Sequence, residues 1–212
     1  MPITGKKDGQ MVQQGWSSQS FSSNVEESVG VAPWGSPLLL APAGATAVTF
    51  DRSLMGSPSF PANSHSTLYV RALAIPGGTP VNNISFVTGG TIIQIGGSHG
   101  WYCLLDQNRV VQAVTLDQTG ATTWSPANTK ITLPVSSYVT TYTGLYYVGF
   151  CTTSTTEPSF FASAAYSTVP SIIPPILMGS ITTGYTTTPP AVGTTLGTVG
   201  GNAFFNYLAW TS

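Results

Sequence analysis

Charge is scarce in this chain of 212 residues. Lysine, arginine, aspartate and glutamate together make up 6% of the sequence, and the formal net charge is −1, whereas about 25% of the residues of an ordinary soluble domain are charged. The six basic residues are scattered along the chain, so no basic stripe exists that would neutralise a run of phosphates. The composition therefore argues against a nucleic-acid partner and predicts a surface built from hydroxyl, amide and small side chains.

Long apolar runs are also absent. The longest apolar segment, 172–178, is interrupted by Pro174-Pro175 and is far shorter than the 18 or more residues of a membrane span. Lys6-Lys7 is followed by polar residues instead of an apolar stretch, so the sequence predicts no signal peptide and no membrane insertion. We expect synthesis and folding in a cytoplasm.

Cysteine and histidine are too few for a metal site. Cys103 and Cys151 lie inside predicted strands, where each is expected to pack as a small buried hydrophobe. A disulfide between adjacent strands is the alternative, although a protein assembled in a reducing cytosol seldom relies on one. His65 and His99 have no further cysteine, histidine or carboxylate at ligand spacing, so we expect no metal and no cofactor.

What the chain does contain is a series of short apolar segments separated by turn residues. Segment 101–105 is apolar at every position, so both faces of that strand have to be covered. Residues 106–109 form a predicted turn, in which Asn tolerates the left-handed conformation, and 110–115 is the return strand. Further strands are predicted at 47–50, 68–75, 81–87, 91–95, 131–133, 142–151 and 203–210. This spacing predicts an all-β antiparallel sandwich.

Segment 142–151 alternates between two apolar faces. Leu145 and Tyr147 point to one side and Tyr146 and Val148 to the other. We predict that the face of Leu145 and Tyr147 lies in the core between the two sheets.

The C-terminal region is less clear in the sequence. Segment 159–166 is either a short helix or an irregular crossing, and 172–178 belongs to an edge or a loop because its prolines remove ladder donors. The Thr-, Gly- and Pro-rich tract 182–198 predicts a long loop between strands.

Three motifs resemble a known module. They are Gly-Trp-Tyr-Cys-Leu-Leu-Asp at 100–106, Thr-Gly-Ala-Thr-Thr-Trp-Ser at 119–125 and Tyr-Thr-Gly-Leu-Tyr-Tyr-Val-Gly-Phe at 142–150. Together they resemble the jelly-roll module of structural proteins of tailed bacteriophages, which occurs in head-decoration, minor capsid and tail-fibre proteins. The likeness covers roughly 64–211 and rests on packing and turn residues. It implies a jelly-roll fold, a place on the virion surface, self-association as a trimer, and major capsid or tail proteins as partners.

The N-terminal region has a different character. Residues 1–36 are polar and show no sustained period of 2 or 3.6, so they have no core of their own. Trp16, Phe21 and Trp34 are the predicted partner-docking anchors of this arm. The alternative is that 12–31 forms two edge strands of its own domain. We divide the chain into an extended arm and connector, 1–60, and a jelly-roll domain, 61–212.

Two patterns raise the question of catalysis. Residues 96–100 match G-x-S-x-G, but a strand follows instead of the helix that this motif requires, so a turn is predicted. Asp106 and Asp117 are two carboxylates of the kind that glycosidases pair. Asp106 opens a turn and Asp117 lies in a polar loop, so solvated loop positions are expected for both. We predict no catalytic residue and no enzymatic activity.

Two functions are compatible with these features. The first is a non-enzymatic structural virion protein of a tailed phage, attached to the capsid surface through its N-terminal arm as a decoration or minor capsid protein. The alternative is a tail-fibre or receptor-binding adhesion module that binds host-surface carbohydrate through aromatic platforms such as Trp124, Tyr138 or Tyr185. The low charge and the arm favour the first.

Overall fold

Short runs of β-branched and aromatic residues form the strands, and Gly, Pro, Asn and Asp separate them. The structure is a computed structural model, and it describes residues 42–49, 67–90, 99–118, 127–153, 159–162, 178–182, 184, 188–200 and 208–212. These described residues contain strands and no helix. The strands are β1 (Ala47–Val48), β2 (Thr67–Ile75), β3 (Pro80–Val87), β4 (Gly100–Asp106), β5 (Val111–Val114), β6 (Lys130–Val139), β7 (Gly144–Thr152), β8 (Met178–Thr182) and β9 (Ala209–Thr211).

The strands form two antiparallel sheets packed as a sandwich, which confirms the predicted fold class. One sheet has four strands in the order β1-β9-β3-β6, and the other has five in the order β5-β4-β7-β2-β8. If β8 is set aside, the remaining eight strands pair from the outside inward: β1 with β9, β2 with β7, β3 with β6 and β4 with β5. This nested pairing is the topology of a jelly roll, with β8 added at one edge.

The core between the sheets is aromatic at its centre. Phe86 of the four-stranded sheet stacks on Tyr102 of the five-stranded sheet, with ring centroids 4.6 Å apart. Phe150 lies 5.0 Å from Tyr102, and Phe160 packs edge-on against both Phe86 and Phe150. All four side chains are at most 1% exposed, so this cluster joins the two sheets by complete removal of apolar surface from water.

A second apolar cluster covers the outer face of the five-stranded sheet. It includes Trp101, Leu105 and Val70, and the same cluster contains Leu196 and Val199. These last two belong to residues 188–200, which we call the strap. The tract 182–198 is predicted to be only a connecting loop, but its residue Leu196 packs onto the sheet, and Val199 does so just after the end of the tract.

The strap is held at both edges of the five-stranded sheet. Beside β5, Val111 N donates to Thr194 O at 2.9 Å and Gly193 N donates to Val111 O at 2.8 Å. Beside β8, Ser180 and Gly200 exchange two main-chain bonds of 3.1 and 2.8 Å. Because β5 and β8 are the two edge strands, the strap closes the edges as well as the outer face of this sheet.

The predicted orientation of β7 is wrong. Tyr146, Val148 and Phe150 lie in the core between the sheets, whereas Leu145 and Tyr147 belong to the outer cluster under the strap. Both sets are apolar because both faces of β7 are covered. Alternation alone could show that two faces exist, but not which one meets the second sheet.

Two further features refine the sequence reading. β1 lies in the range assigned to the arm and connector, but Ala47 and Val48 pair with β9, so the sandwich includes part of 1–60. In the turn after β4 the left-handed residue is Arg109, with φ of 66°, and not Asn108. The arm 1–36 and the predicted strand 91–95 lie outside the described residues.

Candidate functional site

The predicted docking anchors cannot be placed on the fold. Trp16, Phe21 and Trp34 lie outside the described residues, as do the possible sugar platforms Trp124 and Tyr185. The described structure therefore supplies the body to which an arm would be attached.

The surface of the body is almost free of exposed charge. The described residues include five Asp, Glu, Lys or Arg side chains, namely Arg71, Asp106, Arg109, Asp117 and Lys130. Arg71 is buried, Asp106, Arg109 and Asp117 are partly buried, and only Lys130 is exposed among them. Even Lys130 is partly engaged, because its Nζ lies 5.4 Å from the centre of the Trp210 ring. This surface presents hydroxyls, amides and small side chains to its surroundings.

Asp106 lies at the hairpin end of the sandwich, which we define by the connections 76–79, 107–110 and 140–143. Its Oδ1 accepts bonds from the backbone N–H groups of Asn108, at 2.8 Å, and Val110, at 2.9 Å. Its Oδ2 accepts a bond from Gln112 Nε2 at 3.1 Å. All three bonds hold the β4–β5 turn in place, so Asp106 has a structural role as the turn-opening residue that the sequence predicts.

A tyrosine cluster supports the same end. The rings of Tyr142 and Tyr146 stack with centroids 4.7 Å apart, and Tyr138 meets Tyr146 edge-on at 6.4 Å. The Tyr142 hydroxyl donates to Leu145 O and accepts from Gln107 N, so it ties two connections together. Burial raises the pKa of Tyr142 above its usual value. Tyr138 is packed into this cluster and partly buried, which leaves less of its ring for stacking on a sugar.

The opposite end brings together two residues that the sequence reading kept apart. His99 Nδ1 bonds to Asp117 Oδ2, and Asp117 Oδ1 accepts a 3.1 Å bond from Gly100 N. His99 is further fixed by Thr153, whose Oγ1 accepts from His99 N and whose N–H donates to His99 O, both at 3.0 Å. Asp117 lies in a loop, as predicted, but it is only partly solvated, because its carboxylate joins the segment after β5 to the start of β4.

Hairpin register explains how the His99–Asp117 contact arises. Cys103 pairs with Val114 and Leu104 with Ala113. Continuing that register away from the turn sets Asp117 opposite Gly100, next to His99. Recognising 106–109 as a turn is not enough to predict this contact. Equal counting outward from the turn misses the observed register, because the pairing also shifts between Leu104 and Leu105.

The two aspartates are too far apart to form a glycosidase pair. Asp106 ends β4, whereas Asp117 bonds to Gly100 at its start. A strand of seven residues spans about 20 Å, whereas paired glycosidase carboxyl groups are roughly 5 to 9.5 Å apart. The region of the G-x-S-x-G pattern that is described, His99 and Gly100, leads directly into a strand. Neither pattern assembles into a catalytic constellation among the described residues.

The cysteines occupy the outer face of the five-stranded sheet. Cys103 and Cys151 lie on adjacent strands, both are completely buried, and both are thiols instead of a disulfide. Burial raises the pKa of the Cys103 thiol well above its usual value, which keeps the sulfur protonated and unreactive. Both behave as the small buried hydrophobes that the sequence predicts.

The part of the chain that the structure describes holds no candidate metal site and no candidate membrane-spanning helix. Within the described ranges, no group of three or more His, Cys, Asp or Glu side chains is arranged to hold a metal ion, and no helix is long and apolar enough to cross a membrane. The chain matches no protein-family model and no curated protein.

Proposed function

We propose that this chain is a non-enzymatic structural virion protein of a tailed phage, attached to the capsid surface through its N-terminal arm as a decoration or minor capsid protein. The observation that carries the proposal is the surface of the jelly roll, on which Lys130 is the one exposed charged side chain among the described residues. The phage resemblance of the 100–106, 119–125 and 142–150 motifs supplies the virion context.

A surface of this kind suits lateral packing in an assembly. Net charge and like-charge repulsion keep ordinary monomers apart in solution, and this chain has little of either. Hydroxyl and amide side chains can form hydrogen bonds with neighbours without the desolvation cost of buried ions. The partners that fit are further copies of the chain, for which we expect a trimer, and the major capsid or tail proteins of the particle.

The arm supplies the attachment in this proposal. An extended segment of 36 residues reaches up to roughly 120 Å, and its aromatic anchors Trp16, Phe21 and Trp34 would each bury a large apolar surface. Several arms in one oligomer bind together, so modest individual affinities combine through effective concentration.

The first experiment asks whether the protein belongs to the particle. Particles of the phage that encodes the chain are purified with and without the gene, analysed by mass spectrometry and imaged by electron microscopy. We expect the protein in stoichiometric amounts and its density on the capsid exterior. Absence from purified particles would refute the virion role, and density confined to the tail tip would favour the adhesion function instead.

The second experiment tests the arm. A full-length variant with Trp16→Ala, Phe21→Ala and Trp34→Ala is added to particles that lack the protein, beside the control Lys6→Ala/Lys7→Ala. We expect the aromatic variant to lose most of its particle binding, while the lysine variant binds normally. Normal occupancy by the aromatic variant would show that the body carries the attachment surface.

A further inference from the structure

The exposed large apolar side chains of the sandwich converge on one side. Among the described residues these are Leu116, Val139 and Val192, which are 79%, 55% and 54% exposed. Leu116 lies two residues after the end of β5, Val139 ends β6, and Val192 lies in the turn 191–194 that is bonded to β5 through Gly193. All three therefore adjoin β5 or β6, on the side that we call the β5–β6 flank.

Strand register brings one more apolar group to this flank. The bridge between Thr115 and Val135 joins the two sheets, and its antiparallel register sets Leu116 beside Pro134. Pro134 is exposed. Leu116 and Pro134 thus form one apolar patch of the flank. Val139 forms a second apolar patch on β6, five residues after Pro134.

The side chains between these patches carry no charge. From Ile131 to Val139 the strand β6 contains only apolar and hydroxyl residues, and Thr132, Ser136 and Ser137 are exposed. Asp117, which follows Leu116 in the chain, is already bonded to His99 and Gly100. Lys130 marks the far end of β6 and sits over Trp210.

The rest of the five-stranded sheet is closed by its own chain. The strap occupies the outer edge of β5 at Val111 and the outer edge of β8 at Ser180. At β6, the residues 136–139 form no main-chain bond to any described residue other than their β3 partners. An edge without charged side chains is a surface on which another chain can pack.

We propose that the β5–β6 flank is the contact surface between copies of this chain. An identical copy presents the same uncharged flank, so that no like charges oppose each other in the contact and no buried charge is left unpaired. A strongly charged partner would find no complementary group here. This inference deepens the self-association in the proposed function by naming where copies meet, and it does not fix how many copies assemble. It concerns the purified protein alone and stands whether or not the protein belongs to a virion.

The size of the flank fits this occupant. β6 has ten residues, which is about 33 Å at the rise of an antiparallel strand, and two sheets about 10 Å apart with their outward side chains are roughly 20 Å thick. The side therefore offers on the order of 650 Å², close to the ~800 Å² per partner of a standard interface. The bulge between Val81 and Asn83 and the proline in β6 disfavour continuous strand addition, so we infer side-chain packing between flanks.

The experiment measures self-association of the full-length chain by sedimentation velocity over a concentration series. We compare the wild type with Leu116→Asp/Val139→Asp, which adds two carboxylates to the flank, and with the control Thr198→Asp, which adds one carboxylate at an exposed strap position on another face. We expect the double variant to raise the subunit dissociation constant by roughly 100-fold or more, as for the loss of two strong contact residues. The control should associate like the wild type.

Hydrogen exchange of the wild type provides a second readout that does not depend on any substitution. Amides of 135–139 should become more protected as protein concentration rises, while those of 194–198 should not change. A wild type that stays monomeric at micromolar concentration would overturn the proposal, and so would an unchanged dissociation constant in the double variant. Loss of association in the Thr198→Asp control would also overturn it, because the contact would then lie elsewhere.

Discussion

Strands β4 and β6 belong to different sheets, and their sequences show how differently those sheets are covered. β4 is buried from Gly100 to Leu105, because the second sheet lies on one face and the outer cluster on the other. β6 alternates between buried Ile131 and Leu133 and exposed Thr132 and Pro134. A continuous apolar run therefore indicates a strand covered on both faces, and alternation indicates a strand with one face in solvent.

The comparison extends from faces to edges. The five-stranded sheet has its edges closed by the strap, so its exposed backbone is limited. The four-stranded sheet ends in β6, whose outward edge is covered only at the Val135 bridge among the described residues. The first sheet is organised for stability, and the second offers a side for contact with other molecules.

The largest expected effect is on two adjacent leucines of β4. Leu104 faces the core between the sheets and Leu105 faces the outer cluster, and both are fully buried. Leu104→Ala and Leu105→Ala should each lower the free energy of unfolding by about 2 to 5 kcal/mol, because each leaves a cavity. Urea denaturation followed by tryptophan fluorescence measures both.

On β6, substitutions at the adjacent residues Leu133 and Thr132 should differ in their effect on stability, unlike those at the two leucines of β4. Leu133→Ala, on the inner face, should also destabilise strongly. Thr132→Ala should cost only about 0.5 to 1.5 kcal/mol, because it removes one hydroxyl bond to Ser85 and leaves no cavity in the core. Equal losses for Leu133 and Thr132, or a negligible loss for Leu105, would contradict the difference in coverage between the sheets.

The next effect concerns the strap. Gly179 lies in β8, and a Cβ added there would overlap Gly200 O and Val199 Cγ1 of the strap. Gly179→Ala should therefore displace the strap from this edge and lower the free energy of unfolding by about 1 to 3 kcal/mol. Hydrogen exchange should show faster exchange at Gly200 than in the wild type.

Gly184 provides the control for this substitution. A Cβ at Gly184 meets no atom within 4 Å, so Gly184→Ala should leave both stability and exchange at Gly200 nearly unchanged. If Gly179→Ala were as harmless as Gly184→Ala, the strap would not be a tightly packed cover of the sheet edge.

Sequence patterns predicted the strands and the sandwich because those features depend on local alternation and turn chemistry. The continuous run 101–105 even predicted two covered faces. The orientation of β7 could not be predicted, because Leu145 and Tyr147 are as apolar as Tyr146 and Val148. The covering role of the strap was missed for a related reason, since only Leu196 and Val199 pack on the sheet and the residues around them are small or polar.

The His99–Asp117 contact and the β5–β6 flank were harder to predict from the sequence, because they depend on contacts between residues that are far apart in the chain. The His99–Asp117 contact follows from hairpin register, which becomes definite only when the position of the turn and its bulge is known. The β5–β6 flank joins residues from two sheets and from the strap. No local pattern relates Leu116, Val139 and Val192, because topology alone brings them to one side.

The smallest effect is expected at the turn between β4 and β5. Arg109 has a positive φ of 66°, a conformation that costs a residue with a Cβ roughly 1 to 2 kcal/mol and that glycine adopts freely. Glycine also loses more backbone entropy on folding, about 0.5 to 1 kcal/mol. Arg109→Gly keeps both main-chain bonds of the residue, to Asp106 O and from Leu196 N, so it should raise the free energy of unfolding by up to about 1 kcal/mol.

Asn128 is the matched position for this last substitution, because it also has a positive φ, 51°, but carries a side chain that tolerates it. Asn128→Gly should therefore give no gain, and its urea midpoint should stay at or slightly below that of the wild type. A clear loss of stability in Arg109→Gly would mean that contacts of the arginine side chain outweigh the backbone strain. Burial raises the pKa of Tyr147, and the positive charge of the Arg109 guanidinium partly offsets this rise. In that case the interaction between Arg109 and Tyr147 would hold the turn against the outer cluster.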